Sequence, residues 1–264
     1  MEAKFRRVDT KCEDAVKILM IMPVPLPREA IEAFSTQIPA TLKKPDLQID
    51  FVGTRNGATL LDSSYELTVA DHFVLDAGCR AEEQGYDAVC INSMSDSGLS
   101  ALRSRLSIPV VGPGQACFLS AMLLGNRIGV VTMWPPWHNL YHKTAKELGI
   151  EQHLVSVRDI GVRPDTEELL AGKEDIVFEA LEKVARKAID EDGANVLILG
   201  STTMHQSYDY LKERLEVPLL NPGLIALKHC EMLLELGLSH SKVRYPSPSS
   251  VNDTLLQTVP TLFE

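Results

Sequence analysis

The stretch Gly85-Tyr-Asp-Ala-Val-Cys-Ile-Asn-Ser93 has a second copy in this sequence, Gly193-Ala-Asn-Val-Leu-Ile-Leu-Gly-Ser201. Each copy is followed by a helical stretch and a Pro-Gly segment, Ile108-Pro-Val-Val-Gly-Pro-Gly114 after the first and Val217-Pro-Leu-Leu-Asn-Pro-Gly223 after the second. Each copy therefore predicts a buried strand ending in a serine, then a helix, a second strand and a turn into another helix. Because ligands of open α/β sheets bind outside the carboxyl ends of the strands, we expect the two serines to face one cleft from opposite sides.

Strands and helices also alternate outside the repeat. Apolar runs predict strands at 17–23, 47–52, 127–132 and 154–160, and helical spacing predicts helices at 29–34, 66–84, 137–148 and 174–191. This alternation is typical of parallel sheets built from right-handed βαβ units. We therefore predict an α/β fold of two pseudo-symmetric lobes, each a mostly parallel sheet flanked by helices, with the active site in the cleft between them.

The lobe boundaries follow from the position of the two copies. Residues 17–114 together with 221–264 are expected to form the first lobe, and residues 115–220 the second. Residues 1–16 are expected to be a charged N-terminal lead-in.

Composition argues against several classes of function. The net charge of −10 is spread without a long acidic run, which argues against nucleic acid or an anionic membrane as partner. No apolar stretch approaches the ~20 residues that cross a bilayer, and the N-terminus lacks an apolar signal core. The five cysteines are an odd number without metal-like pairing. We expect a cytoplasmic protein that binds a small molecule and holds no metal.

Ser93 and Ser201 are the leading candidates for catalysis, because strand-end position and the repeat single out both. Their loops, Asn92-Ser-Met-Ser-Asp-Ser-Gly98 and Gly200-Ser-Thr-Thr-Met204, are rich in small hydroxyl residues just before a helix. Such loops place backbone N–H groups and hydroxyls where a carboxylate or an oxyanion can bind. A serine at a strand-to-helix junction also serves as an ordinary helix N-cap, and the two roles are compatible.

Other residues are expected in the same cleft because they close predicted strands or lie in these loops. The candidate substrate-binding residues are Pro23, Val24, Asn92, Met94, Ser95, Thr132, Thr202, Thr203 and Pro222. Pro222 belongs to a Pro-Gly turn, whose glycine permits close backbone approach, so we expect it in the floor of the cleft.

Histidine and aspartate supply weaker candidates. His205 lies four residues after Ser201 and is a candidate acid or base, and Asp96 lies three residues after Ser93. A Ser/His/Asp hydrolase can be drawn from these residues, but the chain has no Gly-x-Ser-x-Gly elbow. We expect Asp96 to cap the helix that follows the first repeated strand.

Metal and nucleotide sites are not indicated. His138 and His142 have the i, i+4 spacing of metal ligands, but no zincin glutamate accompanies them, so a surface or partly buried pair is favoured. Neither a Walker A motif nor a Gly-x-Gly-x-x-Gly motif occurs, so no nucleotide cofactor is expected.

The chain resembles the aspartate/glutamate racemase superfamily, and in particular its hydantoin and allantoin racemase branch, over roughly residues 17–240. The order and spacing of several motifs carry the resemblance: Gly85-Tyr-Asp-Ala-Val89, Asp96-Ser-Gly-Leu99, Pro109-Val-Val-Gly112, Leu124-Gly-Asn-Arg-Ile-Gly-Val-Val-Thr132, Gly193-Ala194, Leu199-Gly200 and Val217-Pro-Leu-Leu-Asn-Pro222. It implies two pseudo-symmetric lobes, an active site between them, no cofactor and a homo-oligomer. Members use one cysteine from each lobe, thiolate facing thiol, to remove and return a proton on opposite faces of a carbon next to a carbonyl.

Both of those cysteine positions carry serine here, at Ser93 and Ser201. A thiol has an unperturbed pKa of about 8.5 and is readily brought near neutrality. A hydroxyl is a far weaker acid, and a general base works best with a pKa near the operating pH. Two serines are therefore poor partners for proton transfer unless one of them is ionised.

Three interpretations stay open. The favoured one is a racemase or epimerase of a small amino-acid derivative, hydantoin-type or carboxylate, whose serines are either native or replaced cysteines. The second is a lyase, decarboxylase, cis–trans isomerase or hydrolase that uses the same cleft on a related small carboxylate or amide. The third is a small-molecule binder that has lost catalysis.

Overall fold

The computed structural model describes residues 15–164, 174–256 and 258–263, and it confirms the predicted α/β fold. The first sheet contains β1 (Val16–Met22), β2 (Leu47–Gly53), β3 (Ala88–Ile91) and β4 (Val110–Val111). Its strands are all parallel and lie in the order β2-β1-β3-β4. Every residue of β3 is buried, as the apolar pattern predicts.

The second sheet repeats the first. It contains β5 (Ile128–Thr132), β6 (Leu154–Asp159), β7 (Val196–Leu199) and β8 (Leu219–Leu220). The strands are parallel and lie in the order β6-β5-β7-β8, which is the order of the first sheet shifted by four strands. The two-lobed, pseudo-symmetric architecture expected from the repeated sequence is therefore confirmed.

Helices flank both sheets. Their bounds are α1 Arg28–Ser35, α2 Ser64–Gly78, α3 Leu99–Arg105, α4 Pro113–Leu124, α5 His138–Leu148, α6 Glu174–Asp190, α7 Ser207–Lys212, α8 Pro222–Glu235 and α9 Asp253–Leu256. No helix of the described residues has both the length and the apolar content to span a bilayer.

Helices α4 and α8 each follow the sheet of one lobe and pack against the sheet of the other lobe. α4 follows the last strand of the first sheet but packs on β5 and β7, whereas α8 follows the second sheet and packs on β3 and β4. The two helices also contact each other, and Ser120 Oγ of α4 lies 3.0 Å from His229 Nε2 of α8. Ser120 and His229 are equivalent positions of the repeated Pro-Gly helices, so the pseudo-two-fold axis passes close to this contact. The lobe boundaries at 114–115 and 220–221 stay a prediction.

Helix α2 is shorter than the sequence predicts. Helix α2 ends at Gly78, although helical spacing extends to residue 84. The chain continues in hydrogen-bonded turns to Gly85, which has a φ of +84° and turns it into β3. Residues 1–14 of the expected lead-in lie outside the described residues.

The C-terminal segment crosses the first lobe, an arrangement that the sequence left undecided. Lys242 Nζ donates hydrogen bonds to the carbonyl oxygens of Arg103, Ser104 and Leu106 at the end of α3, at 2.6 to 2.9 Å. Arg105 forms an ion pair with Asp253 at 2.8 Å. The chain then returns to the end of β2, where the N–H of Leu262 donates to the Arg55 carbonyl. The contact between α9 and α2 continues the same packing.

Candidate active site

The carboxyl ends of β3 and β7 meet at one pocket, and both Ser93 and Ser201 line it. Counted with its solvent-open mouth, the pocket encloses about 770 Å³. Its apolar lining residues are Met22, Pro23, Val24, Leu26, Phe34, Leu60, Leu61, Met94, Trp137, Leu140 and Pro164. Its other lining residues are Thr59, Asn92, Ser93, Gly200, Ser201, Thr202 and Thr203. None of these described lining residues carries a charged side chain.

The loop after β3 holds Ser93 by hydrogen bonds within the loop. Ser95 donates its backbone N–H to Ser93 Oγ at 3.3 Å, and the two hydroxyl oxygens lie 3.0 Å apart. Ser95 Oγ lies a further 2.9 Å from Ser97 Oγ, so three hydroxyls are linked in series. Ser93 itself is half-buried at the pocket, whereas Ser95 and Ser97 are buried behind it.

The loop after β7 repeats this arrangement in a shorter form. Ser201 is the N-cap of a short 3-10 turn, Thr202–Met204, and its Oγ accepts the backbone N–H of Thr203 at 3.2 Å. The hydroxyls of Ser201 and Thr203 lie 2.8 Å apart. Ser201 therefore has the capping role expected of such a serine and also lines the pocket.

Asp96 caps α4 and not α3. The prediction that it caps the helix after the first repeated strand is therefore wrong. Its carboxylate accepts the backbone N–H groups of Gly114 and Gln115, each at 2.8 Å. A Cβ atom on Gly112 or Gly114 would collide with this carboxylate, which explains glycine at both positions. Asp96 has a φ of +51°, which turns the serine loop back toward α4. Burial raises the pKa of Asp96 to about 7, although the two backbone hydrogen bonds act in the opposite direction.

A second loop, between β2 and α2, supplies Thr59, Leu60 and Leu61 to the pocket. Glu66 Oε2 accepts the backbone N–H groups of all three residues, at 2.7 to 3.0 Å. Burial alone would raise the pKa of Glu66, but these hydrogen bonds together outweigh it and lower the pKa below its ordinary value. Leu61 has a φ of +57°, so the loop is held in a conformation that a leucine seldom adopts.

Two hydrogen bonds join the lobes beside the pocket. Thr202 Oγ1, in the second lobe, donates to the carbonyl oxygen of Asn92 in the first at 2.9 Å. Trp137 Nε1, at the start of α5, donates to the carbonyl oxygen of Leu60 at 2.7 Å. Because all four residues line the pocket, these bonds fix the distance between its two walls.

Several predicted site residues lie outside the lining of this pocket. Ser95 and Pro222 are buried behind it, the first in the hydroxyl chain and the second in the first turn of α8. Thr132 is fully buried, and its hydroxyl lies 2.8 Å from that of Tyr141, which donates to the Gly200 carbonyl. Thr132 therefore supports the turn before Ser201. The other predicted binding residues, Pro23, Val24, Asn92, Met94, Thr202 and Thr203, lie in the lining.

His205 stands beside the pocket and not in its lining. Its Nδ1 lies 3.1 Å from the carbonyl oxygen of Thr202, and its ring centroid is 6.4 Å from that of Phe34. Both oxygens of Asp96 are engaged by α4, so Asp96 does not orient His205. The arrangement is not that of a Ser/His/Asp triad.

Sequence reasoning missed Phe34, Leu140, Pro164 and the 59–61 loop. The loop follows the carboxyl end of β2, so the rule that located the serines could also have located it. Phe34 and Leu140 lie on helices, and the direction in which their side chains point depends on how α1 and α5 pack.

The histidines at 138 and 142, which have the spacing of metal ligands, both lie on α5. His138 Nε2 lies 2.9 Å from Asp159 Oδ2, and the contact joins α5 to the end of β6. In the part of the chain that the structure describes, no group of three or more His, Cys, Asp or Glu is arranged to hold a metal ion.

Known proteins share this architecture. A protein-family model described as Asp/Glu/hydantoin racemase matches residues 29–230. The match covers well over half of the chain, so the chain belongs to this family and is an isomerase-type enzyme.

Particular relatives place the chain within the family. A hydantoin racemase from Pseudomonas sp. (strain NS671) is 28% identical over 203 residues, which are 76% of this chain and 80% of that protein. An allantoin racemase from Klebsiella pneumoniae is 26% identical with a TM-score of 0.81, and the superposition covers 90% of this chain and 95% of the other. An allantoin racemase from Pseudomonas fluorescens is 29% identical with a TM-score of 0.79, and the superposition covers 90% of this chain and 99% of the other. The resemblance to the hydantoin and allantoin branch is confirmed.

Proposed function

We propose that this protein is a cofactor-independent racemase or epimerase of a small cyclic amide of hydantoin type, acting at the carbon next to a ring carbonyl. The observation that carries the proposal is that Ser93 and Ser201, at matched positions of two lobes, line one pocket. Inversion of a carbon needs one group on each of its faces, and matched serines from two lobes supply such a pair. The hydantoin and allantoin racemases among the relatives support a ring substrate.

The lining supports an uncharged substrate. A free amino acid would bring a carboxylate and an ammonium group, and buried charges need charged or strongly hydrogen-bonding partners. The described lining offers hydroxyls, the Asn92 amide and backbone groups, with no Lys or Arg among them. A neutral ring with an apolar substituent therefore fits better than aspartate or glutamate.

In the proposed reaction, one serine oxygen takes the proton from the substrate carbon and the other serine returns its own proton to the opposite face. The electron pair of the C–H bond moves into the neighbouring carbonyl and gives an enolate between the two steps. One serine gains the proton that the other loses, so atoms and charge balance. Because a hydroxyl is a weak acid, the serine that acts as base must be ionised first, and we expect slow turnover near neutral pH.

A second candidate is a lyase, decarboxylase, cis–trans isomerase or hydrolase in which the serines only donate hydrogen bonds to an enolate-like intermediate. The presence of a hydroxyl in place of a thiol at both positions favours it, because hydroxyls donate hydrogen bonds well but are poor bases. A homo-oligomeric assembly and a cytoplasmic location stay predictions for either candidate.

Proton NMR in D₂O tests the proposal. An enantiopure 5-benzylhydantoin is followed with the protein, with a Ser93→Ala/Ser201→Ala variant, and in buffer alone to measure spontaneous exchange. We expect the wild type to accelerate loss of both the α-proton signal and the optical rotation, with the substrate otherwise intact. A product of different mass would favour the second candidate. Binding by thermal shift without turnover would contradict both.

A further inference from the structure

Each site serine is paired with a second hydroxyl two residues further along the chain. Ser93 Oγ lies 3.0 Å from Ser95 Oγ, and Ser201 Oγ lies 2.8 Å from Thr203 Oγ1. In both pairs the later residue also donates its backbone N–H to the serine oxygen, at 3.3 and 3.2 Å. The capping geometry requires the N–H contact but not the second hydroxyl, which is nevertheless present in both lobes.

We propose that Ser95 and Thr203 are positioning residues, which hold Ser93 and Ser201 so that the free side of each serine oxygen, with its O–H while that serine is protonated, faces the pocket. The inference rests on the proposed function in placing both serines against the substrate. A hydroxyl oxygen has one proton to donate and two sites at which it accepts. When the later residue supplies an N–H and an O–H to those two acceptor sites, the serine proton is left for the ligand.

The direction of the hydrogen bonds matters to the chemistry. Hydrogen bonds in series polarise one another, so an O–H that points toward Ser93 or Ser201 makes that serine a stronger donor. Donors already aimed at the position where negative charge develops stabilise the transition state without reorganisation. In the proposed reaction, the O–H that points into the pocket belongs to the serine that returns a proton to the carbon. The same two contacts, from an N–H and an O–H, stabilise the oxygen of the other serine while it is ionised.

The two pairs differ in their access to water. Ser95 is only 4% exposed and is linked onward to Ser97, which is 1% exposed. Thr203 is half-buried and lines the pocket itself. A water molecule can therefore replace the Thr203 hydroxyl after its removal, whereas the Ser95 hydroxyl has no such substitute. We expect the larger effect at Ser95.

The test uses paired variants of the full-length protein with 5-benzylhydantoin as substrate. Ser95→Ala and Thr203→Val each remove the second hydroxyl, Thr203→Ser restores it, and Ser207→Ala is a matched control. Ser207 is buried and donates its hydroxyl to the Met204 carbonyl and not to either site serine. We expect kcat to fall about tenfold or more for Ser95→Ala and less for Thr203→Val, with KM little changed. Ser207→Ala should keep the wild-type kcat, and Thr203→Ser should recover activity that Thr203→Val loses.

A purely structural role would lower Tm equally in Ser95→Ala and Ser207→Ala and leave kcat per folded protein unchanged, which would overturn the inference. Crystal structures of Thr203→Val and Thr203→Ser give a reading that does not depend on turnover. We expect Ser201 Oγ in more than one rotamer in the first variant and in one rotamer in the second. A single, unchanged Ser201 rotamer in Thr203→Val would overturn the positioning role even if the wild type proves inactive. Absence of turnover with the expected rotamers would instead overturn the proposed function alone.

Discussion

The two lobes build the same serine loop with different supports. In the first lobe Asp96 reaches across to cap α4, and Gly112 leaves room for its carboxylate. At the equivalent positions of the second lobe stand Met204, which is buried in the core, and Asn221, which caps α8 through its own side chain at 3.3 Å. The N-terminus of α4 is therefore capped by a residue of the neighbouring serine loop. The N-terminus of α8 is capped by Asn221, the residue directly before the helix.

This difference shows which features of the repeat serve the site. The strand, the terminal serine and the hydroxyl two residues later occur in both copies, whereas the helix cap differs between them. A feature needed only for stability can be replaced by another of similar energy. Under the proposed function, the serine and its partner hydroxyl occur in both copies because the two faces of one substrate require matched groups.

The largest expected effect comes from removing one serine at a time. Ser93→Ala and Ser201→Ala should each lower racemisation by roughly 10²- to 10³-fold, because loss of one group from a preorganised pair has effects of this size. Optical rotation measures inversion, and deuterium incorporation measures proton removal. If either variant inverted the substrate at the wild-type rate, the lobes would not be chemically matched.

Because the two helix caps differ, their removal should lower the stability of the protein by unequal amounts. Asp96→Ala leaves two buried N–H groups without an acceptor and should lower the free energy of unfolding by about 2–3 kcal/mol. Asn221→Ala removes one long hydrogen bond and should lower it by about 1 kcal/mol. Urea denaturation of both variants measures the difference. Equal losses would mean that the two caps contribute alike.

The raised pKa of Asp96 also predicts how the stability of the protein depends on pH. The pKa of Asp96 in the folded protein is about 7, above its ordinary value of 3.8, so the folded state holds this proton more tightly than the unfolded state does. The resulting contribution to stability is fully present below pH 3.8 and is lost as the pH rises through 7. Wild type should therefore lose stability relative to Asp96→Asn between pH 5 and pH 8, as measured by urea denaturation. A constant difference over this range would contradict the raised pKa.

Glu66 holds the 59–61 loop of the first lobe through three backbone N–H groups, so its loss should act on that wall of the pocket. Glu66→Gln replaces charge-assisted hydrogen bonds to the 59–61 loop by neutral ones and should raise KM roughly fivefold. The pKa of Glu66 is lowered, so the contribution of its charge is present above the ordinary pKa of 4.5 and is lost as the pH falls through the lowered value. The KM of wild type should therefore approach that of Glu66→Gln only in acid. Equal KM values at pH 7 would exclude the positioning role.

The smallest effect is expected from the C-terminal segment, which covers only the first lobe. Lys242→Met removes the ammonium group from the end of α3 and should lower the free energy of unfolding by about 1 kcal/mol. Lys212→Met, in the last turn of α7, is the control, because the Lys212 ammonium is exposed and makes a 3.6 Å ion pair with Asp209 and a cation–π contact at 5.4 Å from the Tyr208 ring centroid. A loss in the control as large as in Lys242→Met would show that the segment adds nothing specific.

The repeat and the apolar runs outside it were sufficient to predict both sheets and the position of the two serines at strand ends, because buried strands and strand ends follow from local sequence. Thr132 was assigned to the pocket because it ends β5, but the Tyr141 hydroxyl covers it, and that contact depends on how α5 packs. Asp96 caps a helix 18 residues further on, which spacing along the chain does not indicate. Phe34 enters the pocket through the packing of α1, which a single sequence does not give, whereas the 59–61 loop follows the end of β2 and could have been located by the strand-end rule.

Restoring both cysteines tests the central claim most directly. Ser93→Cys/Ser201→Cys replaces two hydroxyls by thiols whose pKa of about 8.5 lies close to the working pH. If the serines occupy the two proton-transfer positions, α-proton exchange of 5-benzylhydantoin in D₂O should rise by orders of magnitude, about 10²-fold or more. A folded double variant that binds the ligand but exchanges its α-proton no faster than wild type would contradict the claim.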